Sequence, residues 1–65
     1  MNILVNDRPT EFQGSTVADL VAQLGLPQNG VAVAIGMDIV ARTEWAHKAI
    51  AEGDKVMIIR AASGG

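Results

Sequence analysis

Few of the groups that proteins use for chemistry occur in this chain. It has no cysteine and a single histidine, His47. Without cysteine there is neither a thiol nucleophile nor a disulfide framework. No cluster of potential ligands surrounds His47 in the sequence, so no metal site is expected. Asp38 and Glu44 lie near it, but the three make no recognisable triad, and a lone histidine is more often structural or exposed. Gly14-Ser15 could hold an anion at a helix start, yet without a longer glycine-rich loop capping explains the pair better. What remains is the end of the sequence, where Ala61-Ala62-Ser63-Gly64-Gly65 carries only small side chains.

A terminal Gly-Gly is weak evidence alone. At an average glycine usage of about 7%, chance supplies it in roughly one chain in 200, and a frayed end or cloning remnant is the plain explanation. The chemistry it permits is nonetheless specific. An enzyme that activates a C-terminal carboxylate must thread the end of one protein into the active site of another. Glycine has no side chain to obstruct a narrow channel, and its permissive backbone allows close approach to a nucleotide. The carboxylate, with an ordinary pKa of about 3.3–3.7, is ionised at neutral pH and a poor electrophile. It needs conversion to a mixed anhydride before acyl transfer. Gly65 is then the reactive residue, Gly64 its slender approach, and Ala61, Ala62 and Ser63 the reach.

Something must present that end. At 65 residues the sequence makes one small domain, of a size that buries only about 60% of its unfolded surface. With no disulfide or metal to add stability, apolar packing must suffice, and 49% of the residues are hydrophobic. No stretch reaches the roughly 18 apolar residues of a membrane span. The N-terminus lacks a signal-peptide pattern, so a cytoplasmic protein is expected. A net charge of −2 with scattered basic residues argues against nucleic acid as a partner.

Ile3-Leu4-Val5 reads as a strand, Asn6-Asp7-Arg8-Pro9 as a reversal, and about Thr10 to Phe12 as a second strand, with Ile3, Val5 and Phe12 inward. Val17, Leu20, Val21 and Leu24 fall at the i, i+3, i+4, i+7 spacing of one helical stripe. Thr16 and Asp19 resemble a capping box. Gly25 and Pro27 end the helix. Val31, Val33 and Ile35 share one face of a strand, and a turn at Gly36-Met37-Asp38 leads to another around Ile39-Val40-Ala41. Thr43-Glu44-Trp45 reads as a turn with Trp45 as a plug, and Ala46 to Ala51 as partly helical. Glu52-Gly53-Asp54 is a turn before the last strand, Lys55 to Ile59, with Val56 and Ile58 inward.

One helical stripe needs one sheet face to cover it. Placing the first and last strands side by side in parallel, with the helix crossing right-handedly, satisfies the connection rules. The result is an α+β, β-grasp domain over residues 1–60, a mixed sheet of about five strands with one main helix on one face, followed by a tail at 61–65. Strand alternation leaves Leu4, Ala32, Ala34, Met57 and Ile59 on the uncovered face. They form either a partner-docking surface or ordinary sheet decoration.

The whole chain resembles the ubiquitin-like sulfur carrier family of thiamine biosynthesis. The likeness lies in Ile3-Leu4-Val5-Asn6 before a hairpin, Thr16-Val17-Ala18-Asp19-Leu20 opening the helix, Val33-Ala34-Ile35 with Ile39-Val40, Glu44-Trp45, Gly53-Asp54, and Gly64-Gly65. Ala41-Arg42 departs from it, since the family pattern has proline before the arginine. The resemblance implies a protein co-substrate rather than an enzyme, a monomer on its own with no bound cofactor. A ubiquitin-activating-type adenylyltransferase, supplying ATP and a metal, would adenylate Gly65. Sulfur from a desulfurase or similar relay would convert it to a thiocarboxylate, and thiazole synthase would receive that sulfur. Molybdopterin synthesis, tRNA thiolation, attachment to a target lysine and a plain interaction module are the alternatives.

Overall fold

The computed structural model describes residues 1–27 and 29–60. Its elements are β1 (Asn2–Val5), β2 (Arg8–Glu11), α1 (Val17–Gln23), β3 (Val31–Ile35), β4 (Asp38–Val40), a 3₁₀ turn (Arg42–Glu44) and β5 (Lys55–Arg60). The expected second strand, about Thr10 to Phe12, begins two residues earlier and ends one earlier. Asn6 and Asp7 both take positive φ, 51° and 66°, which is what a two-residue hairpin turn demands. Val5 therefore pairs with Arg8, and Pro9 faces Leu4 inside β2. Because β2 is an edge strand, the missing proline N–H leaves no central ladder bond unmade.

The five strands lie in the order β2-β1-β5-β3-β4. β1 runs parallel to β5, with Leu4 opposite Lys55 and Val5 opposite Val56. β5 is antiparallel to β3 from Val31–Arg60 through Ile35–Val56. The expected pairing of first and last strands is thus the centre of the sheet.

Helix α1 is only seven residues long, too short to persist through its own hydrogen bonds. Its first turn is completed from outside. The Thr16 hydroxyl accepts from Asp19 N–H, and the Asp19 carboxylate accepts from Thr16 N–H, a full capping box. The next two amides are taken by the long connection before β5: Val17 N–H donates to Lys48 C=O and Ala18 N–H to Trp45 C=O, each at 3.0 Å. Ile50 N–H returns a bond to Ser15 C=O at 2.8 Å. Residues 46–51, expected from the sequence to be partly helical, instead form turns and a bridge, Ala49 opposite Thr16. Lys48 C=O and Ile50 N–H are spent on the helix start.

The core lies between α1 and the inner sheet face. Ile3, Phe12, Val17, Leu20, Val21, Val33, Val40, Trp45, Ile50, Val56 and Ile58 are buried in it, with Val5, Val31 and Ile35 packed on its margin. Trp45 plugs the open end, and its indole N–H donates to Val40 C=O at 3.0 Å. Leu24 leaves the expected stripe: it is the C-cap residue and 37% exposed. Gly25, at φ 67°, turns the chain so that Leu26 N–H bonds Val21 C=O and Leu26 covers the core margin instead.

Gly14 is required by contact. A Cβ there would stand 2.4 Å from the Asp19 Cβ, on the side chain that caps the helix. The Asp19 carboxyl is held below its ordinary value, chiefly by the Ser15 backbone N–H and then by that of Thr16. A depressed folded pKa means the unfolded chain binds the proton more readily, so stability rises with pH through this window. The cap's contribution is present above about 3.8, the ordinary Asp value, and is lost as pH falls through the lower folded value. Urea midpoints measured from pH 6 to pH 2 are expected to fall less steeply for Asp19→Asn than for the wild-type chain. Parallel curves would remove Asp19 from the acid response.

Candidate functional site

The residues assigned to the reactive end, Gly65, Gly64, Ser63, Ala62 and Ala61, lie outside the described residues. What the structure places is the strand leading to them. β5 is central in the sheet, with β1 on one side and β3 on the other, so the last strand before 61–65 is held by neighbours of both kinds.

The five residues assigned to the uncovered face do share it. Direct pairing puts Ala32 beside Ile59 and Ala34 beside Met57, and Leu4 beside Lys55, with Val33, Val56 and Ile58 turned to the core. Met57 is 42% and Ile59 57% exposed; Ala32 is exposed, and Leu4 and Ala34 are half-buried by their neighbours. Two apolar residues escape the sequence reading. Ile39, directly opposite Ala34 in the β3–β4 ladder, extends the face and is 80% exposed. Met37 stands at the adjoining turn, 98% exposed. Ile39 was findable: once Val40 is inward, strand alternation sends Ile39 out. Met37 carries no periodic signal, because it belongs to a turn.

The other sequence candidates come to less. Asp38, Glu44 and His47 do line one shallow hollow, with Lys48 and Ile39, but all three are exposed and no hydrogen bond joins their side chains among the described residues. Nor does any group of three or more His, Asp or Glu stand ready to hold a metal ion there. Gly14-Ser15 serves the cap: Ser15 N–H and Thr16 N–H both donate to the Asp19 carboxylate. With a carboxylate occupying those amides and the next two bonded to Lys48 and Trp45, the helix start is filled rather than waiting for an anion. No described helix is long and apolar enough to cross a membrane.

A five-stranded mixed sheet of this order, gripping a single helix against one face, defines the class: these are the β-grasp, or ubiquitin-like, proteins. Comparison with known proteins refines it. Residues 3–65 match the ThiS family. The sulfur carrier protein ThiS of Escherichia coli K12 is 38% identical over an alignment that spans 100% of both chains. The crystal structure of the thiamine biosynthesis protein ThiS from Geobacter metallireducens superposes with a TM-score of 0.82 at 28% identity, covering 100% of each chain. A longer protein, the thiazole synthase of Paramagnetospirillum magneticum, is 33% identical to this chain along its whole length, which corresponds to 20% of that protein. The chain belongs to the ThiS family, the sulfur carriers of thiamine biosynthesis. Among the sulfur pathways open from the sequence, membership selects thiamine over molybdopterin and tRNA thiolation.

Adjacent residues on β5 make the two faces separable by experiment. Ile58→Ala, at a site 8% exposed, is expected to cost about 2–5 kcal/mol by removing buried methylenes. Ile59→Glu on the open face is expected to stay within about 0.5 kcal/mol of the wild-type chain. Urea unfolding followed by circular dichroism checks both; an Ile59→Glu loss as large as that of Ile58→Ala would mean the open face is structural.

Proposed function

We propose that the chain carries sulfur as a thiocarboxylate on Gly65, acting in the cytoplasm as a co-substrate of partner enzymes. The observation that carries the reading is the end-to-end alignment with a sulfur carrier on a chain without cysteine, where the terminal carbon is the natural place for sulfur to ride. In the first step the Gly65 carboxylate attacks the α-phosphate of ATP at a ubiquitin-activating-type adenylyltransferase. Pyrophosphate leaves, and an acyl-adenylate forms. That enzyme, not this chain, holds the ATP and the metal. Next, the outer sulfur of a cysteine persulfide, delivered by a desulfurase or similar relay, attacks the acyl carbon and expels AMP. A second thiol then cleaves the resulting acyl disulfide, leaving the thiocarboxylate on Gly65 and a protein disulfide behind.

Thiazole synthase is the proposed acceptor. Support comes from the thiazole synthase whose chain includes a segment matching this one along its full length; joining carrier to acceptor in that way raises their effective concentration. Ala61, Ala62, Ser63 and Gly64 are assigned the reach into each partner's site. The open face of Leu4, Ala32, Ala34, Met57 and Ile59, enlarged by Ile39, is assigned to docking. A contiguous apolar patch on a small monomer is the usual mark of an interaction surface.

Intact-mass measurement of the chain isolated from cells and treated with a thiol-specific alkylating reagent tests the chemistry. Replacement of oxygen by sulfur nearly matches the mass of methionine oxidation at Met1, Met37 or Met57, but only a thiocarboxylate takes the alkyl group in a chain lacking cysteine. One adduct mapped to Gly65 is expected, and none after deletion of Gly65. A tail found joined to a lysine, with no adduct, would favour a protein modifier. Ala34→Asp and Met57→Asp are expected to slow activation while leaving the fold intact; unchanged kinetics would withdraw the docking face.

A further inference from the structure

We propose that Asn6 is a positioning residue for loading of the C-terminal end: its side chain replaces the strand that β1 no longer provides, and so fixes the half of β5 from which the last residues depart. The inference rests on the carrier reading above. β1 ends at Val5 because Asn6 and Asp7 turn the chain into β2. The last main-chain bond between β1 and β5 is Asn6 N–H to Val56 C=O, at 2.9 Å. β5 nevertheless continues to Arg60, paired with β3 from Val56 onward. On its β1 side the ladder would stop at Val56.

There the Asn6 carboxamide takes over. Its Oδ1 accepts from Ile58 N–H at 2.7 Å, and its Nδ2 donates to Ile58 C=O at 3.2 Å. A carboxamide has the donor and acceptor of a peptide group, so one side chain satisfies both polar groups that a continuing strand would have met. The turn alone does not require this residue. Glycine and aspartate also tolerate positive φ, but glycine has no side chain to offer, and an ionised aspartate only accepts. Met57 and Ile59 point to the open face and Ile58 to the core. Loss of the carboxamide therefore leaves both faces in place and frees only the edge of β5, two residues before Arg60. An end that must enter another protein's site gains rate from being aimed, not merely tethered.

Asn6→Gly and Asn6→Asp test this, each keeping the turn and removing part or all of the bridge. Two readouts are needed: amide hydrogen exchange at Ile58, and adenylation followed as ATP–pyrophosphate exchange with the ubiquitin-activating-type enzyme of the same organism. In Asn6→Gly, Ile58 exchange is expected to accelerate about tenfold or more. Asn6→Asp keeps an acceptor for Ile58 N–H and loses only the bond to Ile58 C=O, so its Ile58 amide is expected to stay the better protected of the two. The adenylation kcat is expected to fall on the order of tenfold to a hundredfold with KM within about twofold, since docking is untouched and aim is lost. Unchanged kcat, unchanged Ile58 protection in Asn6→Gly, or a rise confined to KM would each overturn the role of Asn6 while leaving the carrier reading standing. Absence of exchange with the wild-type chain would overturn the carrier reading itself, and this inference with it.

Discussion

The parallel contact between β1 and β5 is the constraint on which the other elements depend. It joins segments from opposite ends of the sequence through Leu4 N–H to Asp54 C=O and Asn6 N–H to Val56 C=O, each at 2.9 Å. Closing a loop of about 50 residues to make it costs on the order of 3–4 kcal/mol in chain entropy, before any constant for stiffness. Once made, it presents β5 to β3, and the turn at Gly36-Met37 brings β4 alongside. It also places β1 and β5 between β2 and β3, so the connection from β2 to β3 must cross one face, which is where α1 lies.

A sheet of this size can cover only a short helix, and the helix is stable only because the crossing connection finishes it. Trp45 and Lys48 accept the amides that a seven-residue helix leaves open, while Trp45 and Ile50 close the core beneath them. One segment therefore seals apolar surface and satisfies polar backbone at once. No side-chain nitrogen or oxygen is buried without a hydrogen-bond partner among the described residues. For a domain with neither disulfide nor metal, whose stability rests on a small margin, that economy is a requirement. The opposite face of the sheet remains uncovered, with Ile39, Met57 and Ile59 exposed on it.

Legibility in the sequence followed the local physics. The helix was readable because Val17, Leu20 and Val21 repeat at its period and Thr16 and Asp19 cap it. The strands were readable from alternation, and their faces with them; hence Leu4, Ala32, Ala34, Met57 and Ile59 could be named before any coordinates, though Ile39 was missed. Leu24 misled because the stripe it seemed to continue ends in a C-cap, where the helical angle no longer applies. Residues 46–51 misled because Lys48 and Ile50 are held by bonds to Val17 and Ser15, which no nearby residue announces. Asn6 showed only its turn propensity. Its pairing with Ile58 joins residues 52 apart in the sequence and exists only after β1 and β5 have met.

The central place of β5 has a mechanical consequence. β1 and β5 are parallel, so the start of one and the finish of the other lie at opposite ends of the sheet. A pull on the C-terminal end of β5 against the body of the domain acts along the strands. It loads the bonds to β1, to β3 and to Asn6 together, in shear, rather than peeling them one after another. A pull on that end therefore meets the sheet along the direction in which its hydrogen bonds resist together.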